Sequence, residues 1–487
     1  MISLKRLIVA PSILYLPITT MQKNIDSKDE SQIQLRRVLG LFTAIFLVAG
    51  NMIGTGVFKK IVPMAATGLN ENYILLAWIV AGFITILGAF SFAGLAKLTT
   101  ASGGLYEYLR ICFGNFVAYL LGWTIFVIVG SGSIAAVGFI FSQSVNTLIT
   151  IPEPFHQWRD ISVGLSVYPF AFSGVKIFTV ITIVLLSWLN YLGVRKGSVL
   201  NNIITSAKIL GILFLILAGF IFVSPYNHVP ETIPPAQNSS AISFISVFFG
   251  AMLSAFWAYD GFTNVAAVTG EIKNPKRNIP IAIIAGVSIV MVLYVLVNAA
   301  FMKTLSLPQL AGLSENKIAA SEMIGFIMGN NGRILVSLLI MISSFGTLNI
   351  LILVYSRLYY RMAQEKVFFK SVAKVHPLYR TPFNALLYSM VWSCILVISG
   401  TFDVLTNMST FSAFAFYALG AFGLIKMKQK NVIAEKIAGY PLAPALFILL
   451  TLLFLINTFI TNTLQSLTGI LLTLIGIPFY YFFKRRI

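Results

Sequence analysis

Two long apolar stretches of this 487-residue chain are each interrupted halfway by a short cluster of glycine and polar residues. The first cluster, 50–56 (GNMIGTG), lies inside the apolar run 39–62; the second, 256–262 (FWAYDGF), lies inside the run 244–268. A break in a membrane helix exposes backbone N–H and C=O groups that hydrocarbon cannot satisfy, so breaks persist only where the backbone lines a cavity. Paired breaks in corresponding positions of two halves indicate the substrate site of a secondary transporter.

The composition is that of a polytopic helical membrane protein. Apolar residues make up 58% of the chain and charged residues 10%, which excludes a soluble globular fold. In a soluble protein the net charge of +19 would suggest a nucleic-acid partner; here we attribute it to cytoplasmic loops and expect no nucleic acid. The two cysteines and three histidines show no spacing typical of a metal site, a cofactor site or a disulfide framework.

Twelve apolar windows are long enough to be membrane spans. They lie at 39–62, 74–96, 115–147, 175–193, 200–223, 243–268, 279–302, 333–361, 383–400, 403–427, 441–461 and 464–483. We therefore predict an all-α membrane protein with 12 transmembrane helices, in one domain over 38–485, after a cytoplasmic tail over 1–37. We interpret the apolar stretch 7–18, which contains two prolines, as a disordered leader or a start-site artefact rather than a cleaved signal peptide.

The lysines and arginines predict the orientation. Of 34 such residues, seven fall in segments assigned to the outside: Lys59, Lys60, Arg159, Lys176, Lys303, Lys317 and Arg333. The excess in the remaining connections places both termini in the cytoplasm. We expect a multi-pass protein of the cell membrane.

The first ten windows form two sets of five, and each set opens with an interrupted helix. Because five is odd, the second set crosses the membrane in the opposite direction from the first, which makes an inverted repeat. We place repeat one at about 38–224, repeat two at about 243–427 and two additional helices at about 441–484.

The first break has the features of a carboxylate site. Its glycines permit unusual backbone angles, and Thr55 adds a hydroxyl group. The N–H groups around Thr55, Gly56 and Val57 begin the following half-helix, whose dipole favours a carboxylate there, and the carbonyl of Ile53 can accept from an ammonium group. Small residues also line helix interfaces, but three glycines together with Asn51 and Thr55 favour a binding site.

The second break offers complementary groups. The carbonyl groups of Trp257, Ala258 and Asp260 are candidates to hold an amino group, and Trp257 can cover the substrate as a lid, although tryptophan also packs against lipid. An acid inside the membrane is costly and functional by default. For Asp260 we favour capping of the next half-helix slightly over direct substrate contact.

Lys208 lies deep in the fifth window. A lysine near a helix end can extend its ammonium to the surface, but this position makes that difficult. The ammonium then needs partners, which carbonyls of the broken first helix and the hydroxyl of Ser343 or Ser344 can supply. We favour a structural or coupling role.

Four segments resemble the amino acid–polyamine–organocation superfamily, in its bacterial L-type amino acid transporter branch. They are GNMIGTGVF (50–58), SGGLYEYLRICFG (102–114), FWAYDGFTNVAAVTGEIKNPKRNIP (256–280) and FGTLNILILVYSRLYYRMAQE (345–365). The likeness covers about residues 35–485. It implies a LeuT-like five-plus-five inverted repeat with discontinuous helices 1 and 6, and sodium-independent transport by alternating access.

The resemblance also implies residue roles. The first break binds the substrate carboxylate and the second its amino group, which maps onto Ile53, Thr55 and Gly56, and onto Trp257, Ala258 and Asp260. Many relatives carry a lysine in the fifth helix where sodium-coupled relatives hold an ion, which Lys208 matches, with Ser343 as its partner.

Two departures from the branch bear on substrate and partner. Trp257 stands where phenylalanine is common and resembles the cationic arginine exchangers, which leaves substrate charge open. The outer loop 148–174 lacks the cysteine that animal members use to attach a single-span glycoprotein, so we expect no disulfide-linked heavy chain.

We therefore expect exchange of small neutral amino acids across the lipid bilayer. The alternatives are proton-coupled symport and cationic amino acid exchange. A channel or nutrient sensor is a weaker hypothesis because no rings of polar residues line a pore. An enzyme is disfavoured because no paired carboxylates or HExxH spacing lies near a helix end.

Overall fold

The computed structural model describes residues 39–99, 104–163, 167–193, 197–222, 241–265 and 272–485; the tail 1–37 lies outside them. Within these ranges all regular secondary structure is helical, apart from one isolated parallel bridge between Leu39 and Ile272. The α-helices are α1 (Leu41–Met52), α2 (Ile61–Ala65), α3 (Glu71–Leu95), α4 (Gly104–Phe113), α5 (Asn115–Thr124), α6 (Gly130–Leu148), α7 (Ser173–Tyr191), α8 (Gly197–Ile221), α9 (Ala241–Tyr259), α10 (Pro275–Thr304), α11 (Leu307–Ala311), α12 (Ala319–Gln364), α13 (Phe383–Ser399), α14 (Phe402–Gln429), α15 (Leu442–Thr461) and α16 (Thr463–Lys484).

Twelve apolar segments match the predicted spans. In the described ranges, eight helices are long and apolar enough to cross a membrane, and four shorter apolar helices complete the set. Numbered along the chain, span 1 is α1 with α2, span 2 is α3, span 3 is α5 with α6, and spans 4 to 12 are α7, α8, α9, α10, α12, α13, α14, α15 and α16. The window 115–147 is one helix with a π-helical turn at Ile125–Val129, so the prediction of 12 transmembrane helices is confirmed.

The packing of the spans follows the symmetry of an inverted repeat. Span 1 packs on span 7 as span 6 packs on span 2, and span 3 packs on span 10 as span 8 packs on span 5. The pairs 2 with 7, 3 with 8 and 4 with 9 map onto themselves under the same exchange. Span 11 packs on spans 2, 6 and 10, and span 12 packs on spans 3 and 10. A five-plus-five inverted repeat with two added helices accounts for this pattern.

One span begins slightly earlier than hydropathy predicts, and another is preceded by a short helix. The helix Ala319–Gln364 is interrupted at Gly329 (φ 66°, ψ −158°), so a short helix precedes the apolar helix of span 8, which follows Gly329 close to the predicted start near 333. Span 7 begins at Pro275 rather than near 279. Proline is well placed there because the first helical residue needs no N–H partner.

We call the end of the bundle with the connections between spans 3 and 4, 7 and 8, and 9 and 10 the outer end, following the orientation expected from charge. At the opposite, inner end, the N–H of Lys273 donates to the carbonyl oxygen of Leu39 at 2.8 Å. This hydrogen bond ties the start of span 1 to the segment that leads into span 7.

Candidate functional site

The first break is a tight turn followed by free N–H groups. Helix α1 ends at Met52, and Ile53 (φ −68°, ψ 81°) forms a γ-turn in which the N–H of Gly54 donates to the Met52 carbonyl oxygen at 2.7 Å. The chain re-enters helical geometry at Gly56–Phe58. Within the described residues, the N–H groups of residues 55, 56 and 57 donate to no carbonyl oxygen, as expected for the start of a helix. The hydroxyl of Thr55 is buried and also unpartnered there.

The second break begins at Tyr259, where helix α9 ends. The N–H of Asp260 donates to the Trp257 carbonyl oxygen at 3.3 Å, and Gly261 adopts a left-handed φ of 100°. The Asp260 carboxylate accepts a hydrogen bond from the Tyr417 hydroxyl of span 10. The residues beyond 265 that Asp260 is expected to cap lie outside the described residues, so the capping prediction stays untested.

The two breaks contact each other through glycine. A Cβ atom on Gly56 would lie 2.9 Å from Trp257 Cδ1 and 3.1 Å from Ala258 Cα. A Cβ atom on Gly261 would lie 2.9 Å from the Asn51 carbonyl oxygen. Real Cβ atoms do not approach other atoms this closely, so each break is accommodated by a missing side chain on the other. The Trp257 indole lies against Gly56.

A tyrosine that sequence reasoning missed connects the breaks. Tyr294 of span 7 is fully buried, and its hydroxyl oxygen lies 2.8 Å from the Met52 carbonyl oxygen and 3.2 Å from the Ala258 carbonyl oxygen. The single phenol proton is therefore shared between the two breaks. The signal was a tyrosine in the middle of an aliphatic span, because a buried phenol needs a partner and broken helices supply free carbonyls.

Aromatic packing holds this tyrosine in place. The Tyr294 ring meets the rings of Trp78 and Tyr259 at centroid distances of 5.7 and 5.2 Å, and the Tyr259 hydroxyl donates to the Trp78 carbonyl oxygen at 3.1 Å. The Ala258 carbonyl, expected to hold a substrate amino group, is thus already engaged. The Ile53 carbonyl accepts no hydrogen bond from a described residue and is available to a ligand.

Lys208 and Ser343 line one small cavity of about 10 Å³, together with Phe58 from the half-helix after the first break. Lys208 is 6% exposed, so its ammonium does not extend to the surface. Neither Lys208 nor the Ser343 hydroxyl makes a hydrogen bond within the described ranges. Ser344, the alternative partner, donates to the Ile340 carbonyl of its own helix. The structure therefore brings Lys208 together with Ser343 and a residue of span 1.

Lys59 and Lys60, just beyond the first break, form a second cluster. In the sequence they stand out only as charged residues inside an apolar window. Lys59 and Lys60 are both buried. Lys60 Nζ lies 2.6 Å from Asp403 Oδ1 and 2.6 Å from Thr406 Oγ1, both on span 10. Lys59 Nζ donates to Gln143 Oε1 at 2.9 Å and to the Glu315 carbonyl oxygen. The outer half of span 1 is thus bound to spans 3 and 10 and to the connection before span 8.

Comparison with known proteins places both breaks inside a single match. The sequence profile described as amino acid permease matches residues 39–480. The chain is 31% identical over 457 residues to the serine/threonine exchanger SteT of Bacillus subtilis, a match covering 93% of this chain and 98% of that protein. It is 28% identical to the b(0,+)-type amino acid transporter 1 of Mus musculus (95% and 91% covered) and 26% identical to the cystine/glutamate transporter of Homo sapiens (94% and 88%).

Proposed function

Because the chain belongs to the amino acid permease family, we propose that it exchanges small neutral amino acids across the cell membrane by alternating access, without sodium. The observation that carries this proposal is the direct contact of two helix breaks that leave a free N–H turn on one side. Two broken helices that face each other near mid-membrane offer N–H groups to the carboxylate of an amino acid and C=O groups to its ammonium group.

The free N–H groups at Thr55 and Gly56, with the unpartnered Thr55 hydroxyl, form the carboxylate seat. A helix N-terminus concentrates donors and positive dipole there. The free Ile53 carbonyl faces the ammonium group, with the carbonyls of Trp257 and Asp260 as further acceptors. Because the Trp257 indole lies on Gly56, the breaks separate to admit a substrate, and Trp257 then covers it.

Alternating access requires ties that open at one end while the other end stays closed. At the outer end, Lys59 and Lys60 bind span 1 to spans 3 and 10. At the inner end, the hydrogen bond from Lys273 to Leu39 joins the start of span 1 to span 7. We place both termini in the cytoplasm and the repeats at about 38–224 and 243–427, with about 441–484 as added helices.

Sodium independence is supported by Lys208. Its ammonium and the Ser343 hydroxyl face one cavity next to span 1, where a fixed positive charge takes the place of a mobile cation. Exchange of small neutral substrates is supported by SteT, whose name describes serine/threonine exchange.

We also propose that the transporter works without a disulfide-linked heavy chain. Cys112 is buried in α4 and Cys394 is half-buried in span 9, and both are free thiols. Neither lies in the outer connection between spans 3 and 4.

The test is uptake of labelled serine into proteoliposomes with and without unlabelled serine trapped inside. We expect uptake that depends on the trapped amino acid and is unchanged when sodium is replaced by choline or when a pH gradient is imposed. Uptake into empty vesicles that grows with an inward proton gradient would contradict exchange and establish a symporter. Uptake driven only by inward sodium would contradict the role given to Lys208.

A further inference from the structure

The inner connection between spans 8 and 9 carries bases and no acid. Over residues 366–382 the charged side chains are those of Lys366, Lys370, Lys374 and Arg380. Lys374 and Arg380 are exposed, and neither side chain makes an ion pair or a hydrogen bond with any residue that the structure describes. Glu365, the acid just before this segment, already accepts hydrogen bonds from side chains of span 8 and α4. The positive charge of the connection is therefore free to attract an anion.

Apolar side chains are exposed among these bases. Leu378 is 75% exposed and Val375 is 45% exposed. Both lie in a connection between helices, so the hydrocarbon that surrounds a span does not account for their exposure. A single exposed apolar residue needs no explanation, but apolar residues interleaved with unpaired bases are typical of segments that lie in the membrane–water interface.

The turn that carries Leu378 is closed by its own backbone. The N–H of His376 donates to the Thr381 carbonyl oxygen at 2.9 Å, and the N–H of Arg380 donates to the His376 carbonyl oxygen at 2.9 Å. These two hydrogen bonds fix the backbone on both sides of Leu378. The exposed position of the leucine is therefore set by the turn itself.

Span 4 holds this turn at the level where the spans end. The rings of His376 and Tyr379 pack against the Tyr191 ring at centroid distances of 5.2 and 5.1 Å, and the Thr381 hydroxyl donates to the Tyr191 carbonyl oxygen at 2.8 Å. Tyr191 is the last residue of span 4, and Phe383 is the first residue of span 9. Tyrosines at span ends lie at the level of the lipid headgroups, so the apex of the turn lies at that depth.

The usual excess of bases in inner connections explains Lys374 and Arg380, but it does not explain a leucine fixed in an exposed position between them. We propose that this turn is a lipid-binding surface. Leu378 enters the boundary between headgroups and acyl chains, and Lys374 and Arg380 bind the headgroups of anionic phospholipids. Each base near an anionic membrane surface contributes roughly fivefold in affinity. The contact fixes the inner ends of spans 4 and 9 at one depth in the bilayer, a role separate from substrate binding.

Contact with lipid is measured by fluorescence quenching on the full chain in detergent micelles. A fluorophore is attached to Leu378→Cys, with Cys112 and Cys394 replaced by serine, and phosphatidylglycerol with a nitroxide on its acyl chain is titrated in. We expect half-maximal quenching at a lipid fraction at least roughly tenfold lower than with nitroxide-labelled phosphatidylcholine. Equal midpoints for the two lipids, or no quenching by either, would overturn the proposal.

Variants then assign the headgroup contact to residues. In the labelled chain, Lys374→Gln combined with Arg380→Gln should raise the phosphatidylglycerol midpoint at least roughly tenfold and leave the phosphatidylcholine midpoint unchanged. Lys430→Gln is the matched control, because it removes an exposed lysine from the inner connection between spans 10 and 11. It should behave like the parent, and an equal shift in Lys430→Gln would assign the effect to the overall charge of the inner end and overturn the proposal.

Inorganic phosphate separates a lipid surface from a simple anion site. Phosphate has the charge of a headgroup but no acyl chain, so at the same concentration it should not reverse the quenching by labelled phosphatidylglycerol. Reversal by phosphate would overturn the proposal. None of these measurements uses transport, so they stay decisive even if the protein exchanges no amino acid and the proposed function fails.

Discussion

Lys60 Nζ lies 2.6 Å from Asp403 Oδ1 and is fully buried, so the half-helix after the first break is anchored to the start of span 10. Removing one partner of such a pair strands a buried charge, at a cost of roughly 3–5 kcal/mol. This cost destabilises the conformation with a closed outer end, because water would hydrate the lysine once the outer end opens. The ion pair therefore biases the protein towards outer closure.

Asp403→Asn should shift the population towards an open outer end. The measurement is labelling of a Thr55→Cys variant, with Cys112 and Cys394 replaced by serine, by a membrane-impermeant thiol reagent applied outside. We expect labelling to accelerate roughly tenfold or more, as a shift of a few kcal/mol predicts. Asp160→Asn, which alters an exposed outer acid, is the control and should leave the rate unchanged. Equal labelling rates in parent and Asp403→Asn would show that the pair does not hold the outer end.

Tyr294→Phe tests the link between the breaks. The variant keeps the ring that packs on Trp78 but leaves two buried carbonyl oxygens without their donor, which should lower stability by about 1–3 kcal/mol. We also expect a higher KM for serine, because the carbonyls flanking the site lose their fixed positions. Thermal unfolding in detergent and exchange kinetics measure the two effects. Tyr480→Phe, whose hydroxyl bonds no described residue, should change neither; a matching loss there would point to a general effect of removing a phenol.

Gly56→Ala places a methyl group where Trp257 and Ala258 now lie. The indole must move, so we expect serine exchange to fall by at least roughly tenfold. Gly250→Ala is the matched control, because a Cβ atom at Gly250, in the other broken span, meets nothing within 4 Å. Adding Trp257→Ala removes the side chain that the new methyl group contacts. The double variant should therefore be more stable than Gly56→Ala alone, because the effects of residues in contact are not additive. Strictly additive losses in this double variant would argue against direct contact between the breaks.

Lys208→Ala should lower exchange by at least roughly tenfold while the protein still inserts and accumulates. Its partner is assigned by a pair of serine variants. Ser343→Ala removes the unpartnered hydroxyl of the Lys208 cavity, whereas Ser344→Ala removes one that bonds within its own helix. Only the first should impair exchange. Parental exchange rates in Lys208→Ala would remove the lysine from the coupling machinery.

Hydropathy predicts the spans closely because bilayer thickness fixes helix length. The window 383–400, for example, is the helix Phe383–Ser399. The breaks were also visible, since glycine and polar residues in mid-membrane have a limited set of uses. Neither the Tyr294 bond to Met52, across 242 residues, nor the Lys60 bond to Asp403, across 343, could be predicted. Such pairs depend on which spans are neighbours, and no local pattern in one sequence encodes that.

The contacts of Gly56 with Trp257 and of Gly261 with Asn51 limit which substitutions and chimeras the chain can accept. Each break packs directly against the other half of the molecule. Whether a substitution at one break is tolerated therefore depends on the residues that face it from the other half. Chimeras that join the first half of this protein to the second half of a relative should therefore fail unless both glycines and the residues they face are transferred together. Residues that contact each other across the two breaks therefore have to change together.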